Sequence, residues 1–343
     1  MNTLPVIGIT MGDLSGIGPE IILKALSDPK IYTLCKPIVI GDPGSLLRNF
    51  PQEQTIFINE LSSPEEARGK FGIIDMVAIS KLSPDLMIPG RPTPEGGRTM
   101  VKSILKTVEL AQNKSIAAMV TCPINKALMN DVGYHYEGHT QLIAHLTNSD
   151  DYIMMLAGKW LKVTLVTIHC ALKDVASSLD IDKIYRTIII TSKGLKHDFG
   201  IKNPRIAVAA LNPHAGESGM FGSEESEIII PAVDKALGDG YDVTGPLPAD
   251  TIYYKAASGS YDAVVSMYHD QALIPLKLLH FSDGVNITLG LPIVRTSVDH
   301  GTAYDIAGKG LADEASLKEA INMAIDMANH RQKKIRPYEN SNT

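Results

Sequence analysis

Cysteine is scarce in this chain. Its 343 residues include three, Cys35, Cys122 and Cys170. Their spacing matches neither a disulfide framework nor a zinc knuckle, and it fits reduced thiols in a cytoplasmic protein. Charge is scarce as well. Asp, Glu, Lys and Arg make up 20% of the residues, below the usual share for soluble domains, and 44% are hydrophobic. Such a chain fills a core and is not disordered. A net charge of −6 argues against a general nucleic-acid binder, although a local cationic pocket for a small anion remains compatible with it. The start, "MNTLPVIGIT", lacks the basic segment and long apolar core of a secretion signal. No apolar run reaches membrane-spanning length. Internal repeats and low-complexity linkers are missing too. The expectation is a cytoplasmic globular protein with neither membrane nor nucleic acid as partner.

What is present is an alternation. Short apolar runs occur at "PVIGIT" (5–10), "PIVIGD" (37–42), "IAAMVTC" (116–122), "VTLVTIH" (163–169), "RIAVAAL" (205–211) and "DAVVSMY" (262–268). They are nearly continuous in Val, Ile and Ala, as strands covered on both faces of a parallel sheet are. Helical patterns lie between them at 18–28, 96–113, 223–237 and 313–330. Strands separated by helices predict crossover units and an α/β fold. The segment "SPDLMIPGRPTPEGG" (83–97) reads as a Pro/Gly-rich loop, and the polar tail 331–343 as frayed.

Three of the apolar runs lead into a histidine. His169 closes "KVTLVTIH", His214 follows "RIAVAALNP", and His269 follows "DAVVSMY". The C-terminal edge of an α/β sheet is where ligands bind. Imidazoles are common ligands for borderline divalent metals, and three of them leave positions open for substrate oxygens. Each histidine alone also fits a hydrogen-bonded turn residue. Further on, Lys277, Asn286 and Arg295 punctuate apolar sequence. Arg295, beside Thr296 and Ser297, suits a phosphate or carboxylate clamp, because guanidinium grips such groups through two parallel hydrogen bonds. An internal ion pair from Arg295 to Asp283 or Asp299 is the competing reading. His139 and Thr140, in "EGHTQ", sit in a Gly-containing turn before a helix, where free N–H groups receive anions.

The segment "GDLSGIGPE" (12–20) joins the first strand to the first helix without the Lys of a Walker loop or the spacing of the common dinucleotide fingerprint. Together with "DHGTAYDIAGKG" (299–310) it resembles the isocitrate and isopropylmalate dehydrogenase superfamily. The first motif here carries extra residues, and histidines stand where that superfamily uses aspartates to hold metal. "GHT" (138–140), "LNPHAGE" (211–217), "PLPADT" (246–251), "MYHDQ" (267–271), "GVNITLGLP" (284–292) and "RTSVDHGTA" (295–303) narrow the resemblance to the 4-hydroxythreonine-4-phosphate dehydrogenase family. That family includes paralogues acting on D-threonate or D-erythronate 4-phosphate. The resemblance spans roughly residues 5 to 328.

The resemblance implies two α/β/α subdomains of the isocitrate/isopropylmalate dehydrogenase-like fold with the active site in the cleft between them. One, 1–125 plus 291–335, would bind NAD; the other, 126–290, would bind metal and dimerise. It implies a homodimer with a shared active site. His169, His214 and His269 would be the metal ligands, drawn from both subunits, for Zn, Co, Mn or Mg. His139, Thr140, Lys277, Asn286 and Arg295 would contact the phosphorylated hydroxy acid. Gly12, His300, Gly301, Thr302, Ala303 and Asp305 would hold NAD. Asp250, Asp270 and Lys277 are three candidates for the general base. The expected reaction is oxidation and decarboxylation of a four-carbon 4-phospho-3-hydroxy acid. The alternatives are a non-catalytic sensor of a phosphorylated acid and a dehydrogenase of an unphosphorylated diol acid.

Overall fold

A computed structural model describes residues 4–49 and 57–335. Its strands are β1 (Val6–Thr10), β2 (Lys36–Gly41), β3 (Phe57–Glu60), β4 (Ile73–Ala78), β5 (Ala118–Thr121), β6 (Ile153–Ala157), β7 (Lys162–Leu165), β8 (Ile206–Ala209), β9 (Val243–Leu247), β10 (Ala263–Ser266), β11 (Val285–Leu289) and β12 (Arg295–Val298). The chain divides into two units, one made of 1–150 and 291–343, the other of 151–290. Segment 126–150 was expected in the second unit; it packs in the first, where Leu128 closes over Gly97.

In the first unit the strands run β3-β4-β2-β1-β5-β12, and every pairing is parallel. β1, β2 and β5 are covered on both faces, which is why their sequences read as unbroken apolar runs. β12 gave no such signal, since its sequence is Arg-Thr-Ser-Val, yet it is wholly buried. Its polar side chains are matched to the interior: Thr296 Oγ1 donates to Ala320 O (2.8 Å) and Ser297 Oγ to Thr121 O (3.1 Å). A buried hydroxyl with a partner is tolerated where one without is not.

In the second unit the order is β11-β6-β7-β10-β8-β9. β7, β10, β8 and β9 are parallel, whereas β6 runs antiparallel to both β7 and β11. Leu156, Val163, Leu165, Ala207, Ala209, Ile252, Val264 and Leu276 form its core. β6 reads Ile-Met-Met-Leu-Ala, a composition that suits a helix equally well, so its strand identity comes from its neighbours. The mixed α/β architecture agrees with the fold class expected from the alternation.

Several boundaries differ from the sequence reading. The Pro/Gly-rich loop ends at Thr93, whose side chain caps the helix Pro94–Gln112 by accepting from Gly96 N. β10 stops at Ser266, and His269 opens the helix His269–Leu279 rather than ending a strand. β7 stops at Leu165, four residues before His169.

Gly12 illustrates how tightly the first turn is built. Its φ is +71°, and a Cβ there would lie 2.2 Å from the backbone oxygen of Pro123. Both the left-handed backbone and the collision penalise any side chain. Gly12→Ala is therefore expected to cost on the order of 3 kcal/mol. Thermal unfolding should show a fall in Tm of roughly 4 °C, and an unchanged Tm would contradict the packing described.

Candidate active site

In the first unit, the turn after β1 is bound to the loop after β12. Asp13 is buried; its Oδ1 accepts from Ser15 N (2.9 Å) and its Oδ2 from the Tyr304 hydroxyl. Burial raises the Asp13 carboxyl above its usual value, and the two hydrogen bonds oppose that. The Tyr304 hydroxyl in turn accepts from Asn125 Nδ2 (2.8 Å), and Ile17 N donates to Thr302 O (3.0 Å). Burial, followed by the bond to Asp13, pushes the Tyr304 phenol up. Glu20, on the helix Gly18–Leu26, accepts from Ala312 N (2.8 Å) and Gly310 N (3.3 Å). Lys24 Nζ donates to Gly310 O (2.9 Å). So "GDLSGIGPE" and "DHGTAYDIAGKG", distant in sequence, form one structural element. Gly12 is inside it. His300, Gly301, Thr302, Ala303 and Asp305 lie along its loop, with Ala303 at φ +43° and Asp305 exposed. The motifs were visible in sequence; the roles of Asp13, Asn125, Glu20 and Lys24 in joining them were not, because each partner lies more than 150 residues away.

Also in the first unit, Arg295 is 2% exposed and donates from Nη2 to Thr121 Oγ1 (2.9 Å). Burial lowers its guanidinium pKa to about 10, so it stays charged at neutral pH. The sequence places both Thr296 and Ser297 beside it. Strand alternation sends the Thr296 side chain to the opposite face, against Ala320, and of the two side chains it is that of Ser297 that reaches Thr121 beside Arg295. Asp283, one proposed ion-pair partner, is hydrogen-bonded to His280 instead (3.1 Å). His139 is the first residue of the helix His139–Leu146, and Thr140 the second. The His139 Nε2 atom is enclosed and has no hydrogen-bond partner among the described residues. Burial first, then the charges of Arg295 and Lys126, hold this imidazole well below its usual pKa. An enclosed imidazole nitrogen without a partner, within reach of two cationic charges, suits an anionic oxygen. Lys126 carries no signal in the sequence, where "PINKAL" is an ordinary helix start.

In the second unit, His169, His214 and His269 all follow the C-terminal ends of parallel strands, β7, β8 and β10. The His169 and His269 ring centroids are 5.9 Å apart. His269 Nδ1 lies 2.7 Å from Asp270 Oδ1. Such a carboxylate holds the proton on Nδ1 and turns Nε2 outward as a ligand. His214 is exposed, in a turn where His214, Ala215, Gly216, Glu217 and Ser218 all have positive φ (53°, 55°, 80°, 43° and 56°). Left-handed backbone costs roughly 1–2 kcal/mol per non-Gly residue, and such strain concentrates at functional positions. Among the described residues, no three His, Cys, Asp or Glu side chains of one chain converge as a metal-binding group. Lys277 lies on the His269 helix with Nζ 5.7 Å from the centre of the Phe281 ring. Asn286, on β11, donates to Met154 Sδ (3.3 Å). Asp250 is exposed in the first turn of the helix Ala249–Ala257.

The chain is similar over most of its length to known dehydrogenases. A 4-hydroxythreonine-4-phosphate dehydrogenase of Desulforapulum autotrophicum is 52% identical over 321 residues, 93% of this chain and 94% of that one. A D-threonate 4-phosphate dehydrogenase of Cupriavidus necator is 44% identical, covering 96% and 98%. The 4-hydroxythreonine-4-phosphate dehydrogenase structure from Klebsiella pneumoniae superposes with a TM-score of 0.87 at 40% identity, covering 94% and 99%. In fold alone, the likeness extends to isocitrate dehydrogenase of Methylococcus capsulatus, at a TM-score of 0.50 and 13% identity. The chain is thus an α/β oxidoreductase of the dehydrogenase kind. It belongs to the family described as pyridoxal phosphate biosynthetic protein PdxA, whose model matches residues 33–324. No helix among the described residues is long and apolar enough to cross a membrane.

Proposed function

We propose that this chain is an NAD- and divalent-metal-dependent dehydrogenase that oxidises and decarboxylates a four-carbon 4-phospho-3-hydroxy acid, either 4-phosphohydroxy-L-threonine or D-threonate or D-erythronate 4-phosphate. The observation that carries this reading is the pair His169 and His269 at adjacent strand ends, with Asp270 on His269 Nδ1. This donor set suits a borderline divalent cation such as Zn or Co, and also admits Mn or Mg. His214 would complete the set in a homodimer whose active site is shared. Ile274 (67%), Leu278 (85%) and Phe281 (82%) stand exposed along and just beyond the helix that His269 opens, and such an apolar surface supports subunit contact there.

His139, Lys126 and Arg295 would bind the substrate phosphate, with Thr140, Lys277 and Asn286 as further contacts. Remote phosphate binding orients the reacting C3–H bond and raises the rate by fixing geometry. A bound divalent metal supplies Lewis-acid polarisation of the C3 hydroxyl oxygen. In the reaction the C3 hydroxyl gives up its proton and the C3–H bond its hydride, which NAD accepts. The resulting 3-oxo acid then breaks its bond to the carboxylate and releases CO2, leaving the electron pair on the enolate. The hydroxyl proton needs an acceptor. Asp270 is engaged with His269 as its orienting partner, which leaves Asp250 and Lys277 for that task. The exposed Asp305, on a loop with no Lys or Arg before Lys309, suits ribose hydroxyls better than a 2′-phosphate. NAD is accordingly expected to give a higher kcat/KM than NADP; the reverse order would overturn that assignment.

The test is a panel of four-carbon 4-phospho acids with amine or hydroxyl at C2, each assayed for NADH and CO2 with Zn, Co, Mn or Mg. Metal-dependent NADH formation with one of them is expected. No turnover with any acid and metal would leave a sensor of phosphorylated acids as the reading. Equal turnover of an unphosphorylated diol acid would favour that substrate class instead.

A further inference from the structure

The three histidine-bearing strand ends are joined by hydrogen bonds that run through three buried side chains, Thr167, Gln271 and Glu225. Beyond β7, Thr167 donates to Met267 O from both its backbone N (3.1 Å) and its hydroxyl (2.7 Å). This ties the approach to His169 to the approach to His269. Met267 N donates to Gln271 Oε1 (2.7 Å), and Gln271 Nε2 donates to Ala210 O (2.6 Å) at the end of β8. Gln271 is 8% exposed. A buried amide survives there because its acceptor and one donor are both used, and in using them it links the ends of β10 and β8.

From Ala210 the connection continues to Glu225, which is 4% exposed. Glu225 Oε1 accepts from Leu211 N (2.9 Å) and Asn212 N (2.7 Å), and Oε2 accepts from Asn212 Nδ2 (2.9 Å). Glu224 takes the same amide (2.7 Å). The left-handed turn that carries His214 begins two residues later. At its centre, Gly216 packs so closely that a Cβ would lie 2.7 Å from Glu225 Oε2. A turn in so unfavourable a backbone conformation persists only where its surroundings over-determine it. Phe221 N donates to Gly216 O (3.2 Å) and Met220 N to Glu217 O (3.2 Å), closing the turn, and Glu225 fixes the two residues that lead into it and packs against Gly216.

We propose that Gln271 and Glu225 are positioning residues that align the His169, His214 and His269 strand ends for metal binding. This rests on the metal-dependent reading above. Neither residue is placed to touch metal or substrate; each acts through the backbone that carries a ligand. Groups of this kind commonly tune metal affinity by about 10–100-fold.

The experiment titrates Co2+ into metal-free, full-length protein, followed by calorimetry and by the visible spectrum of the bound ion. The variants are Gln271→Leu, which removes both hydrogen bonds, and Glu225→Gln, which keeps the shape but turns one oxygen into a donor facing Asn212 Nδ2. The expected result is a Co2+ Kd raised about 10–100-fold and a shifted visible band, while the metal-free far-UV spectrum stays that of the parent. Gln271→Glu keeps the bond from Met267 N and should recover part of the loss. A Tm lowered in all variants with Co2+ affinity and spectrum unmoved would assign both residues to the fold alone and overturn the proposal. Parent protein that binds no Co2+ would overturn the metal-dependent reading and this inference with it; parent binding matched by every variant would overturn this inference only.

Discussion

Replacing His214 by Ala is expected to abolish tight metal binding and lower turnover by roughly a thousandfold, since Lewis-acid stabilisation contributes several kcal/mol and about 1.4 kcal/mol is tenfold in rate. The fold should survive, because His214 is exposed and its ring fills no core. One complication is its backbone. At φ 53° the position favours residues that tolerate left-handed geometry, and Ala is not among them. His214→Asn is the better-matched control, as Asn enters this region more readily. Both variants should lose metal content measured by elemental analysis, and both should keep a far-UV spectrum like the parent's. Full metal content and full turnover in either would remove His214 from the site.

Arg295→Ala should raise KM for the phosphorylated acid strongly. Loss of a desolvated charge-assisted contact costs about 2–5 kcal/mol, or on the order of 30-fold or more. A fall in kcat should accompany it, since phosphate binding helps to orient the reacting carbon. Stability should fall too, because Arg295 is buried and Thr121 Oγ1 would lose its donor. A lower Tm therefore does not decide between a binding and a structural role. The ratio of kcat/KM for phosphorylated over unphosphorylated acid does. In the binding role that preference collapses, and Arg295→Lys restores only part of it, because an ammonium lacks the planar two-point grip. A preserved preference in Arg295→Ala would falsify the phosphate assignment and leave Arg295 as an internal strut of β12.

The strands most legible in the sequence are those buried on both faces. "VIGIT", "PIVIG" and "AVVS" are apolar on successive residues because both sides of a parallel strand meet helices. β3 is hard to read because it stands at the end of its strand order with exposed residues at both ends. β12 is hard to read because its polarity is satisfied by residues remote in sequence, Thr121 and Ala320. His269 reads as the end of a strand, but it begins a helix. A single apolar-to-polar transition marks the edge of a sheet without specifying the next element.

Local chemistry was thus determined by the sequence alone: the alternation that makes an α/β fold, the histidines just past strand ends, the glycines of the first turn, and the motifs that mark the family. These are properties of residues within a few positions of one another, and short-range sterics and burial periodicity express them directly. Which of those residues meet was decided only by the tertiary structure. The contacts of Asp13 with Tyr304, of Arg295 with Thr121 and of Gln271 with the backbone ends of two strands, and the reach of the Lys126 charge to His139, depend on sheet order and strand register. Register is set by the packing of the whole unit, because shifting a strand by one residue turns every side chain to the other face. That is why the side chain of Ser297, and not that of Thr296, reaches Thr121 beside Arg295.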